Sequence, residues 1–132
     1  MLSRSKILGT IDNGYAARMK GDKELVATIW AKGAKYRLVA NPADFRRVPV
    51  GRKNAVKATS SLIDMIKFKS LKRVDALVDG NRAAVHWLVT VSVGRRKPVK
   101  TELYDLWTFN SAGEATELIQ FVDTALLAKL VG

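Results

Sequence analysis

The chain contains no cysteine. That excludes disulfides and thiolate metal sites outright, and it suits a reducing compartment. Histidine is nearly absent as well: His86 stands alone, and no grouping of His, Asp and Glu has metal-ligand spacing, so no metal is expected. Long apolar runs are missing. Residues 83–93 form the longest apolar-rich stretch, too short and too β-branched to span a membrane as a helix. Residues 1–14 lack the continuous apolar stretch of a signal peptide. A soluble, cytoplasmic protein with no membrane partner is the expectation.

Acidic residues are scarce. Twelve Asp and Glu face 23 Lys and Arg, a formal net charge of +11. The excess is local, because residues 32–73 hold twelve basic side chains against only Asp44 and Asp64. A one-sided field of this kind attracts anions. Aromatic residues that could stack nucleic-acid bases are thin there, limited to Tyr36, Phe45 and Phe68, and no nucleic-acid motif is present. Nucleic acid is therefore not the expected partner. Two readings stay open for the segment: a solvated basic face, or an electropositive rim in which Arg46, Arg47, Arg52 and Lys53 steer an anionic ligand.

What is there is one domain spanning residues 1–132, with 48% hydrophobic residues, enough for a real core. Ile7, Leu8, Ile11, Tyr15 and Met19 recur at helical spacing, with Ser3 or Ser5 as N-cap and Gly21 as the stop. Asp22 caps a second helix over residues 23–31, broken at Lys32-Gly33. Residues 34–40 alternate as a first strand, 41–52 form a loop, and 54–64 a third helix. From Ile66 the period becomes two. Strands are expected over 66–78 (bulged near Ser70), 82–93, 99–110 and 115–122, with Asp79-Gly80-Asn81 as a hairpin turn and a last helix over 123–131. Helices first and an antiparallel meander second make an α+β plan: a cone-shaped curved antiparallel sheet wrapped by N-terminal helices, with a mouth suited to a small ligand.

Asp105 is the residue that stands out. Strand parity puts it on one face with Leu103, Trp107 and Phe109. A carboxylate on an aromatic face is either a buried acid held by a neighbour such as Gln120 or Tyr15, or the floor of a pocket. Trp30, Tyr36, Phe68, Trp87, Trp107 and Phe109 either line that pocket or fill the core. His86 has the opposite parity and belongs on the outer face with Leu88 and Thr90. Asp123 fits an N-cap better than an acid catalyst.

The element order, together with Tyr15-Ala16-Ala17-Arg18-Met19-Lys20-Gly21-Asp22, Val78-Asp79-Gly80-Asn81-Arg82-Ala83-Ala84-Val85 and Asp105-Leu106-Trp107-Thr108-Phe109 before Gly113, resembles the nuclear transport factor 2-like superfamily. Within it the chain looks most like the SnoaL-like polyketide cyclase and ketosteroid isomerase-like branch, a cystatin-like roll. The resemblance implies isomerase, cyclase or lyase chemistry, no organic cofactor, and a pocket acid. In the isomerase branch that acid stays protonated in an apolar site and donates to a developing oxyanion. Asp105 matches its position, and Tyr15 corresponds to the partner tyrosine, one residue out of register with Gly21-Asp22. The general base of that branch falls around Leu38, where no acid exists. The acid/base aspartate of the hydrolase and cyclase branches falls on Gln120, and the hydrolase Arg and Asp fall near Trp87 and Val89.

The first expectation is a small-molecule pocket protein for an apolar, oxygenated ligand, with an acidic ligand left open. Asp105 and Tyr15 are its candidate catalytic residues. Gln120, Tyr36, Trp87, Trp107, Phe109, Trp30 and Phe68 are its candidate substrate-binding residues. The alternative is a non-catalytic homodimeric binding module paired through the outer sheet face.

Overall fold

The computed structural model describes residues 2–132. Helix α1 (Arg4–Lys20) begins where the Ser3 side chain accepts from the Lys6 N–H, and ends at Gly21, which turns left-handed at φ 70°. Ile7, Leu8, Ile11 and Tyr15 form its buried stripe. Helix α2 (Lys23–Ala27) is capped by Asp22. It stops well short of residue 31. The Thr28 hydroxyl bonds back to the Leu25 carbonyl at 2.6 Å, and Ala115 N–H captures the Ile29 carbonyl at 2.9 Å.

Strand β1 (Trp30–Leu38) therefore starts at Trp30, not at Ala34. Gly33 does not break the chain. It sits inside the strand at φ 75°, and the register slips between Trp30 and Lys35, so the glycine makes a bulge. A second surprise is β2 (Gly51–Asn54), an edge strand in what the sequence presents as loop, paired antiparallel with β1. Three of its four residues are exposed and two of those are basic, so it carries no apolar alternation to read.

Helix α3 (Ala55–Met65) follows, capped by Asn54, and then the meander β3 (Lys67–Asp79), β4 (Arg82–Ser92), β5 (Val99–Phe109) and β6 (Ala115–Val122). The expected bulge appears in β3 between Phe68 and Ser70, with a second between Arg73 and Asp75. Helix α4 (Thr124–Val131) closes the chain under an Asp123 N-cap. The sheet runs in the order β2-β1-β6-β5-β4-β3. Only β1 and β6 pair in parallel. The result is an α+β protein with a curved, unclosed six-stranded sheet and helices over one face. Alternate residues of β4 (Ala83, Val85, Trp87, Val89, Val91) and β5 (Leu103, Asp105, Trp107, Phe109) are buried beneath those helices. No helix among the described residues is long and apolar enough to cross a membrane.

Candidate functional site

Asp105 is completely buried, with 0% of its surface exposed. The sheet register explains its company: its cross-strand partners are Val85 on β4 and Gln120 on β6. Oδ2 accepts from the Tyr15 hydroxyl and, at 3.1 Å, from Trp87 Nε1. Oδ1 accepts from Gln120 Nε2 at 3.1 Å. The same Gln120 nitrogen reaches Tyr15 Oη at 3.1 Å, while Gln120 Oε1 accepts from the Tyr36 hydroxyl at 2.7 Å. One carboxylate, one amide and two phenols thus form a closed network inside an aromatic shell. Tyr15 lies 4.3 Å from Trp87, 6.3 Å from Phe68 and 6.4 Å from Trp107, between ring centroids.

Burial pushes the Asp105 carboxyl up to about 6, against the pull of its hydrogen bonds from Tyr15, Gln120 and Trp87. The Trp107 indole acts in the same sense as those donors, although its N–H falls short of a full hydrogen bond. Burial, reinforced by the Asp105 charge, raises both Tyr15 and Tyr36 above the ordinary phenol range. At neutral pH the cluster is therefore an anion facing neutral donors. As the pH falls toward 6, Asp105 takes up a proton that it can return through Tyr15.

Beside the network lies a cavity of ≈ 110 Å³, on the scale that admits one aromatic ring. Its wall includes Tyr15, Tyr36, Trp107, Leu118 and Gln120, together with Trp30 and Phe68. Val122, Asp123 and Leu126 lie at its more exposed end. Trp30 stacks on Trp107 at 5.6 Å. The wall is overwhelmingly apolar.

The structure separates residues that the sequence reading grouped together. Tyr15, Tyr36, Gln120, Trp30, Trp107 and Phe68 reach the cavity. Asp105, Trp87 and Phe109 do not. They stand one layer behind, Trp87 against Tyr15 and Phe109 stacked on Trp107 at 6.0 Å, because the lining rings are large enough to cover them. The basic loop residues expected near the mouth form no part of the cavity wall. Arg46, Arg47, Arg52 and Lys53 are exposed and off the wall, and Arg52 turns 3.8 Å from Glu117.

The cation that does line the cavity is Arg18, a residue not singled out from the sequence. Its signal was present: Ile7, Ile11, Tyr15 and Arg18 follow at spacings of four, four and three, which puts a guanidinium on the apolar stripe of α1. Asp123 lines the rim while capping α4 through the Leu126 N–H at 3.0 Å. His86 faces outward as expected, 2.6 Å from Glu102 and stacked on Tyr104. Among the described residues no group of three or more His, Cys, Asp or Glu could hold a metal ion.

No protein-family profile matches the chain, and no curated protein matches it in sequence. Solved structures do. A nuclear transport factor 2-like protein of unknown function from Burkholderia pseudomallei superposes with a TM-score of 0.81 at 17% identity, covering 96% of this chain and 98% of that one. TerC, crystallised with polyporic acid, gives 0.79 at 16% identity over 96% and 98%. A Mycobacterium tuberculosis epoxide hydrolase of the LEH-like kind gives 0.69 at 13% identity over 96% and 90%. The chain has the nuclear transport factor 2-like fold. At these identities the likeness fixes the architecture, and the chemistry has to come from the side chains of this chain.

Proposed function

We propose that the protein binds a small, largely apolar molecule in this cavity, with a ligand oxygen directed at Tyr15, whose hydroxyl is released to donate outward when Asp105 takes up a proton. The observation that carries the reading is the convergence of Tyr15, Tyr36 and Gln120 in one hydrogen-bonded group on a mostly apolar wall. The crystallisation of TerC with polyporic acid supports the use of this fold for organic ligands. Proton exchange at the ligand oxygen is the chemical step available to the cluster. Asp105, once protonated, passes its proton to Tyr15 as Tyr15 gives its own to the ligand oxygen, so the step gains as the pH falls toward 6. The isomerase, cyclase or lyase reading also requires that a carbon-bound proton leave the ligand. It lacks a base near Leu38, so any second proton transfer falls to Asp123 at the rim or to solvent.

Because Trp30 and Trp107 line the cavity, ligand entry can be followed by tryptophan fluorescence. Acetophenone, a neutral ring-sized ketone, is expected to quench saturably, and Leu118→Trp, which fills the cavity, to abolish the response. Quenching that is linear in concentration and unchanged in Leu118→Trp rules the reading out. Turnover of a bound ketone, followed as solvent deuterium exchange and lost in Tyr15→Phe, separates catalysis from simple binding.

A second reading concerns the opposite face. Leu77 (63% exposed), Leu88, Tyr104 and Phe121 leave a large apolar surface on the outside of the sheet. The four lie one each on β3, β4, β5 and β6, and Tyr104 pairs with both His86 and Phe121 in register. We read this face as a homodimer surface, since a self-pairing patch needs mixed charge and His86, Glu102 and Lys72 provide it.

A further inference from the structure

Among the described residues on the cavity wall, Arg18 is the sole Lys or Arg. Half of its guanidinium is already engaged. Nη2 donates to the carbonyls of Leu62 at 3.1 Å and Ile66 at 2.6 Å, at the end of α3 where the helix dipole favours a cation. The group lies over Phe68, with Cζ 4.0 Å from the ring centroid. The other half is not engaged: Nη1 is buried and has no hydrogen-bond partner.

Nor does a carboxylate neutralise the group. No ion pair involves Arg18 among the described residues, and Asp105 directs its oxygens to Tyr15, Trp87 and Gln120. Burial brings the guanidinium down to about 10, which leaves it charged at neutral pH. A buried cationic N–H without an acceptor is among the more costly features a fold can hold. Of the guanidinium fork, Nη2 is taken up by the two carbonyls, so Nη1 is the arm left for an anionic oxygen such as that of a carboxylate.

We propose that Arg18 is the anion-binding residue of the cavity, and that the ligand is a small organic acid. Its carboxylate meets Nη1 while its apolar body lies against Trp30, Trp107 and Leu118. This rests on the cavity being a ligand site, and it narrows the class of molecule that site takes. It also assigns anion selectivity to one half-buried side chain of α1 rather than to an exposed basic loop. The competing account is that Arg18 only staples α1 to the end of α3. In that case charge on a ligand is irrelevant.

Benzoate and benzamide separate the accounts, because they share ring and size and differ in charge. With the wild-type protein, titration calorimetry is expected to find benzoate tighter by roughly tenfold or more. Arg18→Met, which keeps the bulk of the stem, should erase that preference while benzamide affinity stays within about threefold. Arg18→Lys should retain part of it, since charge survives and the fork does not. Equal affinities in the wild type overturn the proposal and leave the cavity reading intact. A preference that persists in a folded Arg18→Met variant overturns it too. If neither compound binds, the cavity reading falls and takes this inference with it. Should Arg18→Met fail to fold, the wild-type ratio decides the proposal unaided.

Discussion

A fully buried carboxylate stands behind the tyrosine-lined wall and a half-buried guanidinium on it, and their surroundings are opposite. Asp105, behind the wall, accepts hydrogen bonds from Tyr15, Trp87 and Gln120. Arg18, on the wall, has one amino nitrogen bonded to backbone carbonyls and the other bonded to nothing. The anion is built into the fold, since its partners come from α1, β4 and β6 and are held whether or not a ligand is present. The cation is only half built in. A buried polar group that is fully satisfied holds structure together, whereas one left partly unsatisfied is where a partner from outside has most to offer.

The largest way to break this comparison is Asp105→Leu. Three buried donors would lose their acceptor at once, so unfolding in urea should show a loss of roughly 3 kcal/mol or more. A loss under about 1 kcal/mol would mean that the network is incidental to the fold. Next in size is a pH effect. Burial raises the Asp105 pKa from 3.8 to about 6, so the folded state holds that proton more tightly than the unfolded chain does. The stabilisation from the protonated acid is fully present below about pH 4 and is lost as the pH rises through about 6. Other carboxylates titrate in the same window, so the quantity to measure is the difference from Asp105→Asn, which cannot ionise there. Between about pH 4 and 7 the wild type should lose on the order of 1–3 kcal/mol relative to that variant.

Arg18→Met probes the other side with a smaller expected effect. It removes two hydrogen bonds to carbonyls and also an unsatisfied buried donor, and these contributions oppose each other. A net destabilisation of about 1 kcal/mol is expected by urea unfolding. If Arg18→Met instead costs as much as Asp105→Leu, the two charges are equally structural and the comparison fails.

The same contrast explains what could be read in advance. Asp105 was legible because a strand has a period of two, so one glance at Leu103, Trp107 and Phe109 places it on the buried side. Arg18 obeys an equally simple rule on α1, but a long cation can snorkel, and a basic residue beside an apolar stripe usually reaches water. Nothing local says that Phe68 and the α3 carbonyls will enclose it, because those contacts span 44 to 50 residues of sequence. Element order and three of the caps were legible for a related reason: Ser3, Asp22 and Asp123 act on helices within three residues of themselves. The start of β1 and the whole of β2 were not. Both are fixed by partners far along the chain, β6 for the first and β1 for the second. Depth was hidden as well. Parity tells which face Trp87 and Phe109 occupy but not that Tyr15 and Trp107 lie between them and the cavity.

The smallest effect is expected on the convex side of the sheet, where the comparison extends from single groups to whole faces. Along β4 the inward residues Val85, Trp87 and Val89 are nearly inaccessible, while Leu88 between them is 43% exposed. Lys72 and Glu102 flank Leu88 in register on β3 and β5, so a lysine there would face one like and one opposite charge, and the two effects offset. In a monomer, Leu88→Lys should shift stability by no more than about 0.5 kcal/mol. In a dimer paired through this face, the same change would bury a charge at the interface of each copy and shift the molecular mass seen by light scattering toward half. Wild-type protein that is monomeric at high concentration would remove the dimer reading and leave Leu77, Leu88, Tyr104 and Phe121 as ordinary surface. If the dimer is present, its loss in Leu88→Lys with ketone and benzoate binding unchanged would show that the two faces of the sheet work independently.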